Sequence, residues 1–164
     1  MKAITGAGAP ALLMGLLAAC SPQPAAEATP SAAPVASVHP VSGLEVIPLT
    51  VTSGDEVHRF AVELAASPEA QQRGLMFRTE LGDSEGMIFP STPPQVRSFW
   101  MKNTPLPLDI IYIGEDGRIL NIHPMTTPYS LDSLYSTGVT SGVLELRGGR
   151  AEELGIEAGD RVEW

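Results

Sequence analysis

Hydrophobic positions in this chain recur in short runs broken by Gly, Pro, Asn and Asp, a pattern of strands and turns rather than long helices. Val57, Arg59, Ala61 and Glu63 alternate with His58, Phe60, Val62 and Leu64, the period of a half-buried strand over 57–65. Residues 45–52 alternate less cleanly but are rich in Val, Leu and Ile, and Ser53-Gly54-Asp55 between the two runs predicts a hairpin. Further strands are predicted at 86–89, 96–101, 109–113, 118–124, 143–147 and 161–164. Gly114-Glu115-Asp116-Gly117 makes a hairpin turn between the third and fourth of these. Two short helices interrupt them. Ser67 caps the first, Pro68 fits its first position, Glu69 lies at its positive end and Gly74 stops it. The second covers 150–154, with Gly155 as its stop and Ile156 packing back beneath it. Residues 125–141 read as a loop rich in Thr, Ser and Tyr. The pattern predicts a mainly β (α+β) domain, a small barrel or sandwich of short strands with two short helices.

The first 43 residues break that pattern. Lys2 is followed by the apolar run Ala11-Leu12-Leu13-Met14-Gly15-Leu16-Leu17 and then by small residues leading to Cys20. A basic start, an apolar centre and a small-residue end make a secretory signal over 1–19. Cys20 directly after it makes the segment resemble the bacterial lipoprotein signal. That resemblance implies lipidation of the Cys20 thiol, cleavage just before it and acylation of the new amino end. The alternative is an ordinary secretory signal with a chance cysteine at its end. The apolar run is shorter than the roughly 20 residues of a membrane span. The expectation is therefore a chain anchored to the periplasmic side of a membrane by lipid, with Ser21 favouring the outer one where two exist. Residues 20–43 carry Pro22, Pro24, Pro30, Pro34 and Pro40 among Ala and Ser, and read as a lipidated Cys and a disordered linker in which His39 is solvated. Residues 44–164 remain as one folded domain of ordinary size.

Charge and cysteine usage narrow the chemistry. A formal net charge of −9 repels phosphate backbones, so nucleic acid is not an expected partner. The single cysteine excludes an intrachain disulfide and a cysteine metal cluster.

The densest segment runs Phe99-Trp100-Met101-Lys102-Asn103-Thr104-Pro105-Leu106-Pro107-Leu108-Asp109. Asp109 opens a strand that is apolar on both faces, so its carboxylate needs a cation or hydrogen-bond donors. Lys102 and Arg78 are the expected cations, and Asn103 and Thr104 the expected donors. Together with Gly74-Leu75-Met76-Phe77-Arg78, Gly86-Met87-Ile88-Phe89, Val143-Leu144-Glu145-Leu146 and Gly155-Ile156-x-x-Gly159-Asp160, this segment resembles the prokaryotic domain-of-unknown-function family DUF192. The resemblance spans nearly all of the folded part and is least close between Tyr129 and Gly142. It implies a small, exported, β-rich domain and carries over no activity and no catalytic residue.

Several chemistries fit these residues. Arg78, Trp100, Lys102, Asn103 and Asp109 could line a site for a small polar ligand such as a carbohydrate, an aromatic face beside cationic, amide and carboxylate groups. The same residues could instead form a buried salt-bridge network that fixes a loop. Met76, Met87, Met101, Met125 and His123 suggest Cu(I), although Met also fills irregular cores. Zinc is less well served, with only His58 and His123 in the domain. No serine sits in a nucleophile elbow and no Gly-rich phosphate loop occurs. Glu145 reads as the outward residue of an alternating strand, and Glu152 and Glu153 as a solvated helix face. The resulting expectation is a lipid-anchored envelope protein without a cofactor that binds a small polar ligand or another envelope component. The alternatives are an enzyme acting on envelope material and a periplasmic copper binder. An enzyme differs from a binder in needing an acid or base that titrates within reach of its substrate.

Overall fold

A computed structural model describes Ala3 and residues 37–164; Cys20, the rest of the signal and the linker as far as residue 36 lie outside the described residues. The strands are β1 (Ser37–Val38), β2 (Glu45–Ser53), β3 (Glu56–Leu64), β4 (Glu85–Gln95), β5 (Ser98–Phe99), β6 (Leu108–Gly114), β7 (Ile119–His123), β8 (Leu134–Tyr135), β9 (Thr140–Arg147) and β10 (Arg161–Glu163). The helices are α1 (Pro68–Arg73) and α2 (Arg150–Glu153). The main sheet runs β1-β2-β3-β4-β9-β6-β7, with β10 also on β2, while β5 and β8 form a separate pair. β3 and β4 pair in parallel across the α1 connection, and the other neighbours are antiparallel. The sheet is not closed into a barrel. A single bridge, Arg118 to Arg161, brings the start of β7 to β10, and the architecture is that of a sandwich of short strands.

Local sequence chemistry explains most of these elements. β2 and β3 turn at Gly54-Asp55 with Ser53 opposite Glu56. Ser67 Oγ accepts the Ala70 N–H at 3.1 Å at the start of α1, and the Gly74 N–H closes on the Ala70 carbonyl. Ile156 is buried and its N–H returns to the Ala151 carbonyl of α2.

Three expectations need correction. The strand expected at 96–101 is only Ser98–Phe99, because β4 continues to Gln95 through Pro90, Pro93 and Pro94. Proline cannot donate to a ladder, and β4 accommodates it with a register shift between Pro90 and Gln95. The loop expected over 125–141 contains β8 and the first residues of β9. His39 is not a solvated tether residue. Ser37 and Val38 pair with β2, and the His39 imidazole turns in beside a buried ion pair, 3.2 Å from Arg78 Nη2 and 3.7 Å from Glu63 Oε1.

Alternation along β6 and β9 divides the interior in two. Ile111, Ile113, Leu144 and Leu146 face one cluster with Leu49, Val51, Phe60, Val62 and Ile88. Leu108, Ile110, Tyr112 and Val143 face the other, with Met87, Phe89, Met101 and Leu75. Every residue of β6 is buried, so this central strand has no outward side. Gly86 is needed where β4 meets β9: a Cβ there would lie 2.6 Å from the Glu145 carbonyl oxygen.

Candidate functional site: a cationic cleft over a buried carboxyl

The second apolar cluster is incompletely covered, and a cleft of about 450 Å³ opens above it. α1 supplies one wall with Glu69, Gln71 and Arg73, and the turn after α1 adds Met76 and Phe77. The opposite wall is the stretch Arg97 to Thr104, including Phe99, Trp100, Lys102 and Asn103. Phe89 and Glu145 reach it from the sheet.

The two walls meet at strained backbone. Phe77 (φ 66°) and Asn103 (φ 57°) both adopt left-handed conformations, and the Phe77 N–H donates to the Asn103 carbonyl at 2.8 Å. An aromatic residue there is an outlier, and such strain gathers where a binding surface over-determines the chain. The Phe77 ring is nevertheless 65% exposed at the cleft mouth, with Trp100 48% exposed. The Lys102 ammonium stands 5.0 Å from the Trp100 ring centroid, and the Arg97 guanidinium 5.3 Å from that of Phe99. Arg97 donates to Ser91 Oγ and Gln71 Oε1, each at 3.2 Å, so neutral groups hold its charge; burial lowers its pKa.

Glu145 is the group that sequence reasoning placed wrongly. Read as outward-facing, it is 5% exposed. It lies between Met87 of β4 and Ile110 of β6 in register, on the face that carries Val143 and Tyr112. No hydrogen bond to its carboxyl is present among the described residues. Burial raises its pKa from 4.5 to about 8, so at neutral pH it is a carboxylic acid with a proton to give. The nearby Tyr112 hydroxyl is raised above its ordinary range by burial first and by Glu145 second, and donates at 2.6 Å to the Leu134 carbonyl instead.

Of the residues expected at the site, Trp100, Lys102 and Asn103 line the cleft together, and Arg78 and Asp109 do not. Arg78 Nη1 is 2.6 Å from Glu63 Oε1, both side chains being largely buried. Asp109 is fully buried and pairs with no cation. Its Oδ1 accepts the Met125 and Gly149 N–H groups at 2.8 and 2.9 Å, and its Oδ2 accepts Ala151 N–H at 2.8 Å. It therefore ties the loop after β7 and the start of α2 to β6. Gly149 (φ 84°) presents its amide in a left-handed conformation that glycine adopts freely. The residues named for copper differ in their surroundings. Met87 and Met101 are core side chains, Met125 is exposed, and His123 Nε2 lies 2.9 Å from the Tyr135 carbonyl. Among the described residues no three His, Cys, Asp or Glu side chains gather as metal ligands, and no helix is long and apolar enough to cross a membrane.

Known proteins extend the picture without assigning an activity. A solved structure of a protein of unknown function from Novosphingobium aromaticivorans DSM 12444 is 52% identical, with a TM-score of 0.78; the match covers 79% of this chain and 93% of that one. Another, called a "putative transcription regulator", from Sinorhizobium meliloti 1021, is 35% identical with a TM-score of 0.71, covering 73% and 94%. No curated protein matches the chain. Residues 49–164 match the family DUF192, Uncharacterized ACR, and with that span of the folded part accounted for, the chain belongs to the DUF192 family.

Proposed function

We propose that this protein binds a small polar ligand in the cleft between α1 and the segment Arg97–Thr104, and does so as a lipid-anchored component of the cell envelope. One observation carries the binding role. A concave site of about 450 Å³ places the exposed Trp100 ring, the Lys102 ammonium and the Asn103 amide around a buried carboxyl without a partner. Lys102→Ala and Trp100→Ala should abolish ligand-induced thermal shifts across a panel of sugars and small acids while the domain stays folded. Shifts that persist in both variants would place binding elsewhere. The envelope role is supported by the signal pattern ending at Cys20. Cys20→Ala should release soluble protein or leave an unprocessed precursor. A mature N-terminus that is unmodified and cut elsewhere than before Cys20 would remove the anchor.

A second reading has a specific observation behind it. An enzyme acting on envelope material needs a titrating acid within reach of its substrate, and Glu145, raised to about 8, lines the cleft. Loss of turnover with retained binding in Glu145→Gln would favour this reading over simple binding. The Sinorhizobium relative is called a transcription regulator, and a net charge of −9 disfavours direct nucleic-acid binding by this chain.

A further inference from the structure

We infer that the ligand of the cleft is an anion of the acidic-sugar class, its carboxylate drawn to Arg73, Arg97 and Lys102 and its hydroxyl-bearing ring seated against Trp100 with an oxygen on Glu145. The inference rests on the cleft being the binding site and names the chemistry of its occupant.

Pairing of charges leads to it. Among the described residues, Arg78, Arg147, Arg150 and Arg161 each have a carboxylate partner. Arg59, Arg73, Arg97, Arg118 and Lys102 have none, and three of these five line one cleft. In a chain of net charge −9, uncompensated cations gathered in one concavity are a local reversal of sign. They face a single ionised carboxylate, that of Glu69, whose pKa is lowered by its own backbone and by Ser67 at the start of α1. A cationic ligand would meet repulsion from both walls.

Glu145 supplies the second, independent observation. It is more than nine-tenths buried, lines the cleft and has no hydrogen-bond partner among the described residues. The carboxyl belongs to a buried residue yet opens on the cleft, so a ligand oxygen there can take the hydrogen bond that the chain leaves unmade. Tyr112 from β6 lies near Glu145, and the charged groups that share its cleft are Arg97 before β5, Lys102 after β5, and Glu69 and Arg73 from α1. Tyr112 donates to the Leu134 carbonyl and not to Glu145, and burial alone raises the Glu145 carboxyl and keeps its proton at neutral pH. While protonated, Glu145 adds no negative charge and can donate to the ligand. Once ionised it repels the anion.

The test is binding of D-glucuronate to the full chain, followed by NMR at the Trp100 indole, with D-glucose and D-glucosamine as neutral and cationic counterparts and inorganic phosphate as a plain anion. Glucuronate should bind most tightly, and Lys102→Ala should weaken it at least tenfold. Raising the pH to 9, one unit above the Glu145 midpoint of about 8, should weaken wild-type binding about tenfold. Glu145→Gln should show no such loss. Glucose binding as tightly as glucuronate, and sensitive to Lys102→Ala, would overturn the anion while leaving the cleft as a ligand site. Phosphate binding as tightly as glucuronate would overturn the sugar. No response to any of the four probes would overturn both the ligand class and the cleft reading for this class of molecule.

Discussion

Asp109 and Glu145 are buried carboxyls on neighbouring strands of one sheet, and their surroundings could hardly differ more. Asp109 points to the α2 side and takes three backbone N–H groups, from Met125, Gly149 and Ala151. Glu145 points to the opposite face, among Phe89, Val143 and Tyr112, and has no hydrogen-bond partner among the described residues. Register accounts for the split. Ile110 lies opposite Glu145, and Asp109 opposite Leu146, so one step along the pleat reverses the face. A carboxyl whose acceptor capacity is filled by the chain holds the fold. A carboxyl left unfilled at a cleft floor is available to a ligand. Burial alone does not tell the two apart; hydrogen-bond satisfaction does.

Breaking this contrast from the structural side has the largest expected effects. Asp109→Ala leaves three amides without their acceptor and should cost about 3–5 kcal/mol in a denaturant melt, at roughly 1–3 kcal/mol per buried donor with incomplete additivity. Asp109→Asn, which keeps one oxygen for the Met125 and Gly149 amides, should cost clearly less. Equal costs would mean that the three amides are not what matters. Arg78→Ala strands the Glu63 carboxylate, 3% exposed, and should cost about 3–5 kcal/mol as well. A loss under 1 kcal/mol would show that pair to be solvated in solution.

Glu145 should act on stability through pH. Between 4.5 and about 8 the folded chain keeps a proton that the unfolded chain has given up. Its contribution is complete below the lower value, is lost as pH rises through the upper one, and is flat above it. The slope inside that window is about −1.4 kcal/mol per pH unit from this residue. Glu145→Gln should remove it, making the variant more stable than wild type at pH 8 and little different at pH 5. Parallel pH profiles for the two proteins would refute the raised pKa. The smallest effect belongs to Lys102→Ala, an exposed change expected to alter stability by no more than about 0.5 kcal/mol while weakening the ligand.

Elements with local chemistry were legible from the sequence. The Ser67 cap, the Gly54-Asp55 and Gly114–Gly117 turns and the Ile156 return each follow from a few adjacent residues. The co-location of Trp100, Lys102 and Asn103 was also readable, because they share one short loop. What was not legible depended on pairing between distant segments. Leu144-Glu145-Leu146 looks like a half-exposed strand until β6 and β4 are known to flank it and its outer face to form part of a walled cleft. The apolar character of β6 on both faces was the one available signal that its neighbour is central as well. Nothing near Asp109 in sequence announces the Ala151 amide, 42 residues on, and a cation was the natural but mistaken partner. His39 reads as tether because it ends a Pro- and Ala-rich stretch, whereas its surroundings are set by Glu63 and Arg78.

The contrast between a satisfied and an available carboxyl is tested most directly by following the Glu145 side-chain carboxyl carbon by NMR across the pH range, alone and with D-glucuronate. The account predicts a midpoint near 8 that the ligand displaces. A midpoint near 4.5, unmoved by ligand, would contradict it.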